Sequence, residues 1–454
     1  MSGSVHPNVV FVFADQWRAQ SVGYAGDPNL TGRTPNLDRL AARSVNFSNA
    51  VSCSPVCTPY RGSLITGQYP TTHGLFLNDL CLSSRAVSLA QAFSAAGYDT
   101  GWIGKWHIDG NGRGAYIPPE RRQGFDYWKV LECTHDYNHS RYYAGNDPTP
   151  KYWEGYDAIA QTRDAQTYIE QHAKGEKPFI LVMSWGPPHD PCGTAPEKYQ
   201  AMFKAENIKL RPNVPPEMAE KARKDLAGYY AHIAALDDCV GDLMKTIDET
   251  GIAGNTVFVV TSDHGDMLGS QGLERKQLPW EESIMVPFLM RYPAAHGTEG
   301  REVRMPINTP DIMPTLLGLC DVPIPDTVEG TDYSGVVKGG KEYEDRAALI
   351  MCVAPFDRWA RPIGSEYRGV RTSCCTYVRN ARGPWLLYDN EKDPYQLNNL
   401  VGLPEHAKLQ YIMESVLQRE LKAAGDEFMP SEKYIEKWKY NVDESFTVPY
   451  WEKE

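Results

Sequence analysis

NVVFVFADQ, residues 8 to 16, is an unbroken apolar run closed by a carboxylate and an amide. A strand buried on both faces reads this way, without alternation, and α/β proteins place ligands beyond the carboxyl ends of such strands. The arrangement recurs. Thr100 to Ile103 leads into Gly104-Lys105-Trp106-His107, Phe179 to Trp185 leads into GPPHDP, and Val257 to Ser262 runs into Asp263-His264-Gly265-Asp266. Amphipathic helical patterns separate these runs: Asn36 to Val45, Val87 to Ala96, Tyr156 to Ala173 and Pro216 to Glu249. The alternation predicts an α/β fold, a large doubly wound mixed sheet flanked by helices.

At 454 residues the chain is long for a single core. Residues 1–340 are assigned to the large α/β domain and residues 341–454 to a smaller C-terminal α+β domain. The second assignment rests on strand candidates at Ala347 to Val353, Tyr367 to Arg379 and Trp385 to Tyr388, and on a helix from about Glu405 to Ala424. The tail from Pro430 is aromatic and charged without clear periodicity. Packing across the first domain or a partner subunit is the plain reading.

The formal net charge of -12 argues against a nucleic-acid partner, because phosphate backbones are held by clustered Lys and Arg. It does not exclude a small anionic substrate, since screening confines charge effects to about 8–10 Å. The apolar run near the N-terminus is short and has no basic stretch before it, so neither a signal peptide nor a membrane anchor is read there. Ten cysteines are sparse and irregularly placed in a chain of this length. The expectation is a cytoplasmic protein, or a periplasmic or secreted one if a leader has been removed.

Asp15, Gln16, Asp263 and His264 offer three oxygen donors and one nitrogen donor from two strand ends, a set suited to a hard divalent cation. Singly, a strand-terminal Asp is often just a cap. The most specific stretch is Cys57-Thr58-Pro59-Tyr60-Arg61, followed by GSLITG at 62–67. It resembles the sulfatase signature C-x-P-x-R-x-x-x-L-T-G, with Ile65 in the Leu position. The resemblance continues through TPNLDRLAARSVNFSNA (34–50), GKWH (104–107), PPHDP (187–191), SDHGDMLG (262–269) and LLYDNEKDPYQLNNL (386–400).

Membership in that family implies that Cys57 is converted to formylglycine by a formylglycine-generating enzyme, and that Asp15, Gln16, Asp263 and His264 bind one divalent metal together with residue 57. It implies a sulfate pocket completed by Arg61, Lys105, His107, His189 and Lys276. In the implied reaction a hydroxyl of the hydrated aldehyde attacks sulfur. His189, with Lys276, then protonates the leaving alcohol, and His107 takes the proton that expels sulfate. Lys105 and His107 are expected on one face of an extended segment, with Arg61 one helical turn from Cys57. The family often has Asp-Asp and Asp-Asn at the two metal pairs. Gln16 and His264 depart from this, a combination that also occurs in the related phosphonate monoester hydrolases and phosphodiesterases and in choline sulfatases. Calcium is the expected metal, with manganese or magnesium as alternatives.

His135, Tyr137, His139 and Arg141 lie in a polar-aromatic insertion suited to stacking on sugar C–H faces and bonding hydroxyls. Arg358 and Arg361 are a second substrate-binding candidate. The expected activity is hydrolysis of sulfate esters on a saccharide. A phosphodiesterase or phosphonate hydrolase on the same scaffold, and a sugar-binding pseudoenzyme, are the competing readings. The oligomeric state stays open.

Overall fold

The apolar run that opens the chain becomes the strand Asn8–Asp15, with almost every residue buried, in the computed structural model, which describes residues 6–82, 85–357 and 364–449. Among the described residues this strand lies inside a ten-stranded sheet. The order is Arg301–Val303, Val45–Phe47, Phe288–Arg291, Thr256–Ser262, Asn8–Asp15, Phe179–Pro188, Asp99–Lys105, Tyr127–Leu131, Arg141–Ala144 and Asp147–Tyr152. The pairings from Thr256–Ser262 through Tyr127–Leu131 are parallel, so these strands point the same way. Their carboxyl ends therefore meet on one edge.

Successive residues of the first strand serve opposite cores, as the pleat requires. Val9, Phe11 and Phe13 pack with Leu64, Phe93 and Leu316, from the helices Cys57–Thr66, Leu89–Ala95 and Thr309–Leu319. Val10, Val12 and Ala14 pack with Leu40, Ile169 and Leu236, from Pro35–Ala41, Asp157–His172 and Ala219–Glu249. The doubly wound sheet is thus covered on both faces. The helix expected over Asn36 to Val45 stops at Ala41, because Val45 and Phe47 alternate into the strand Val45–Phe47.

A four-stranded antiparallel sheet follows, Ala348–Cys352, Tyr367–Arg371, Cys375–Asn380 and Gly383–Asp389. The single strand expected over Tyr367 to Arg379 is two strands, broken where Thr372 Oγ1 accepts the backbone N–H groups of Cys374 and Cys375. One face of this sheet packs on the helix Ala407–Ala423 through Met413, Leu417 and Leu421. The other packs Ile350, Tyr367 and Val378 on Met267, Leu278 and Ile284, and so supports the loop that carries Lys276.

The tail finds its place on the first core. After the helix Ser431–Trp438, Tyr440 donates to the carbonyl of Gly74 at 2.9 Å, and Phe76 meets Tyr434 and Tyr440 at ring separations of 6.1 and 5.4 Å.

One glycine fixes how the sheet edge reaches the site. Gly104 has φ 100°, and a Cβ there would strike the carbonyl oxygen of Ser184 on the neighbouring strand. Gly97 has φ 86° but open space around it. Gly104→Ala should therefore lower stability by about 1–3 kcal/mol beyond Gly97→Ala, which meets only the left-handed strain. Thermal unfolding midpoints of the two variants check this, and equal shifts would contradict it.

Candidate active site

Cys57 is the first residue of a helix buried along its whole length, and the preceding Val56 is extended and supplies no side-chain cap. The positive end of the helix dipole therefore favours negative charge at position 57. Around its Sγ stand Lys276 Nζ, donating at 2.9 Å, His264 Nε2 at 3.3 Å and Asp15 Oδ1 at 3.5 Å. Asp15, Cys57, Asp263 and His264 are all buried and present ligand atoms within 4.8 Å of one another. Two strand ends and a helix start have brought together residues separated by more than 200 positions in the chain.

The electrostatics follow from burial and proximity. Burial would raise Asp15, but Lys105, His189, Lys276 and His264 hold its carboxyl well below the usual range. Asp263 is pushed up to about 6, by burial and then by Asp15. At Cys57, burial and Asp15 oppose the thiolate, and Lys105, Lys276 and His264 outweigh them. Burial disfavours charge on His264, yet Asp263 pulls it upward.

This donor set fits a divalent cation. Gln16 Nε2 donates to Asp266 Oδ2, which leaves Gln16 Oε1 buried without a partner, while the Gln16 backbone N–H donates to Asp263 Oδ1 at 2.9 Å. An acceptor orphaned beside converging carboxylates asks for a cation. Asp15, Gln16, Asp263 and His264 would hold it, with residue 57, and it would supply Lewis-acid stabilisation of charge at the reacting oxygens. Asp266 is a residue the sequence reading missed. It also accepts from the backbone N–H groups of Leu268 and Arg275, at 2.9 and 3.0 Å.

Arg61 is fully buried against the carboxylates, with Nη2 at 3.4 Å from Asp15 Oδ2 and 3.5 Å from Asp263 Oδ2. Its Nη1 donates to the Lys105 carbonyl and Ser184 Oγ, both at 2.7 Å, and the guanidinium lies 4.8 Å from the Phe13 ring. Arg61 therefore offsets the two carboxylates and holds the strand ends together. One helical turn gave proximity to Cys57 but not the direction of the side chain.

Lys105 and His107 both reach the cavity, though not on an extended segment as expected. The strand ends at Lys105, and His107 has φ 57°. Trp106, between them, is buried against Trp102 and Trp128 at ring separations of 4.8 and 5.1 Å, which anchors the turn. Lys105 Nζ donates to Asp15 Oδ2 at 2.6 Å.

His107 reveals a second missed residue. Its Nε2 lies 3.1 Å from Asp79 Oδ1, and Asp79 is gripped by Arg113 through Nε at 2.9 Å and Nη2 at 2.8 Å. His107 Nδ1 is buried without a hydrogen-bond partner. Burial disfavours charge on His107, but Cys133 and Asp79 hold it up to about 9. The protonated form is thereby favoured, which suits His107 first to holding an anion. The base role implied by the resemblance requires that proton to leave.

His189 lines the same cavity, its Nδ1 committed to the Asp190 carbonyl at 2.8 Å, and His135 stacks on it at 4.6 Å. Burial, then Lys276, keeps His189 well below its ordinary range, and burial with Lys105 lowers His135 to about 3. Both are neutral until an anion arrives, which would favour their charged forms.

The insertion divides. Tyr137 is a correction: only 1% exposed, it donates to the Asp190 carbonyl at 3.1 Å, as a packing residue that braces the His189 loop. His139 and Arg141 lie in an adjoining groove of about 430 Å³, where His139 stacks on Tyr152 at 4.2 Å. Arg358 and Arg361 lie outside the described residues. Divalent cation at a hundredfold excess over its Kd should stabilise the chain by about 2.7 kcal/mol. Thermal unfolding with calcium and with chelator checks this, and Asp263→Asn should abolish the shift; a shift unaltered in that variant would place the cation elsewhere.

A family profile described as "Sulfatase" matches residues 7–322, and one described as "N-sulphoglucosamine sulphohydrolase, C-terminal" matches 269–423. An ulvan-active sulfatase of Formosa agariphila is 48% identical over 449 residues, covering 98% of this chain and 87% of that protein. The solved structure of BT4656 with D-glucosamine-2-N,6-O-disulfate superposes with a TM-score of 0.83 at 23% identity, covering 94% of this chain and 100% of that one. Phosphonate monoester hydrolase of Agrobacterium radiobacter shares the fold with a TM-score of 0.74 at 23% identity, covering 92% and 96% of the two chains. With the family's profile spanning most of the chain, and nearly half the residues shared with a sulfatase along almost the full length, this chain belongs to the sulfatase family, sulfuric ester hydrolases that depend on formylglycine and a divalent metal.

Proposed function

We propose that the chain hydrolyses a sulfate ester on a saccharide, with calcium at the Asp15, Gln16, Asp263 and His264 site and Cys57 matured by a formylglycine-generating enzyme. One observation carries the saccharide assignment. The cavity of about 240 Å³ above Cys57 adjoins the 430 Å³ groove, and Arg113 and Cys133 line both. An unadorned aryl sulfate would leave that second space unused. The groove offers the His139–Tyr152 stack, the Arg141 guanidinium and the Tyr143 ring, which suits a sugar neighbouring the sulfated one. The similar Formosa agariphila protein is named for its activity on ulvan, which agrees with this class. Three oxygen donors support calcium, the imidazole keeps manganese as the alternative, and magnesium is the second comparison metal.

The chain's own residues supply the proton steps. Lys276 Nζ, 2.9 Å from position 57, and Lys105 present positive charge to the ester's nonbridging oxygens. His189 has Nδ1 fixed on Asp190, so Nε2 is the atom left to pass a proton to the leaving alcohol, with Lys276 beside it. His107, held by Asp79 through Nε2, faces residue 57, and its neutral form, left once its own proton has passed to solvent, accepts the proton of residue 57 when sulfate is expelled.

Protein shown by peptide mass spectrometry to carry the aldehyde at 57 should release sulfate from a sulfated oligosaccharide, and Cys57→Ala should not. Parallel assays on a phosphate diester and a phosphonate monoester test the group transferred; faster turnover of either than of any sulfate ester would overturn the assignment. Asp79→Asn should lower kcat/KM by about 10–100-fold, the usual effect of removing an orienting partner. It should keep the cation-induced rise in unfolding temperature. Unchanged kinetics would remove Asp79 from the site's machinery.

A further inference from the structure

The last described stretch of the chain returns to the reaction centre. Thr447 and Val448 line the cavity that holds Cys57, beside Phe356 and Asp357, although no motif marks them. The strap that delivers them is tightly built. Asp443 Oδ1 accepts from Ser445 N at 2.8 Å, Ser445 Oγ at 2.7 Å and Thr447 N at 2.9 Å, and Asp443 N donates to the Thr447 carbonyl at 3.0 Å. Asp357 N donates to the Ser445 carbonyl at 3.1 Å, which ties the strap to the wall next to it. Phe446 and Val448 pack on the main core. The partner wall is equally fixed: the Gln277 side chain accepts from Phe356 N at 3.1 Å and donates to the Phe356 carbonyl at 2.9 Å, one residue from Lys276.

We propose that the strap Asp443–Val448 is a specificity wall of the sulfate-ester site, in which Thr447 and Val448 contact the sugar that bears the sulfate and limit its size. The inference rests on the saccharide reading above. The wall offers a hydroxyl beside an isopropyl group and a phenyl edge, which matches a sugar ring's alternation of hydroxyl and C–H surface. Among the described residues it makes no hydrogen bond to Lys105, His107, His189 or Lys276, and Thr447 Oγ1 is engaged with Ser445 Oγ at 2.9 Å. Its contribution is therefore to the fit of the sugar, and falls on KM.

The test compares a sulfated oligosaccharide with 4-nitrophenyl sulfate in the full-length, aldehyde-bearing enzyme, as wild type, Val448→Trp and Thr447→Ala. Val448→Trp should lower the saccharide-to-aryl ratio of kcat/KM by about 10-fold or more, chiefly through KM, and Thr447→Ala should lower it by about 3-fold or more. A cation-induced rise in unfolding temperature equal to that of wild type shows that the variants are folded. Parallel losses on both substrates, or no loss on either, would overturn the strap while leaving the saccharide reading intact. Wild type that cleaves the aryl ester but no saccharide ester would overturn the saccharide reading, and the strap with it.

Discussion

Asp15 and Asp263 lie together with no solvent exposure, and the surrounding site is arranged to make that tolerable. Two carboxylates in a dry interior repel each other and lose their hydration, so both remain only where positive charge is fixed nearby. Arg61 pairs with both, Lys105 pairs with Asp15, and Lys276 and His264 stand beside residue 57. The cations are unequal. Arg61 ties the strand ends together through the Lys105 carbonyl and Ser184 Oγ, whereas Lys105 and Lys276 also line the cavity. A divalent metal would complete the charge balance and would give the orphaned Gln16 oxygen a partner.

The fold makes this concentration of charge possible because the parallel strands deliver their ends to one edge while both faces of the sheet stay apolar. Val9, Phe11 and Phe13 on one face, and Val10, Val12 and Ala14 on the other, leave polar residues only where the strand stops. The same logic explains Trp106 and Gly104. The tryptophan buries itself so that its neighbours turn outward, and the glycine lets the strand pass Ser184 closely enough for Lys105 to reach Asp15. Packing and chemistry are set at adjacent residues.

Local features of the site were therefore legible in the sequence: strand ends, ligand pairs and the cysteine motif are short patterns whose spacing has a direct geometric meaning. Arg61 shows where spacing stops, since a helical turn fixes distance along an axis and leaves open which wall a long side chain joins. Tyr137 shows the same for composition, because a polar-aromatic loop contains both exposed platforms and packing residues such as the one that braces Asp190. Asp79 and Thr447 were not legible, because each acts through a partner distant in sequence and a lone Asp or Thr has no pattern to announce it; Asp266 stood inside the quoted motif, but its bond to Gln16 did not show in the spacing.

The net charge of -12 belongs with this local picture rather than against it. At physiological salt, charges beyond about 8 Å are largely screened, so the overall negative charge contributes little inside a cavity edged by Lys105, Lys276 and His107. Recognition of a sulfated saccharide would then depend on short-range contacts at the site instead of long-range attraction. A sulfate must be presented deep enough to meet those cations, and a sugar must fit the walls above it. For an enzyme without strong electrostatic steering, the shape of the groove and of the strap beside Cys57 carries the discrimination that a basic surface would otherwise share.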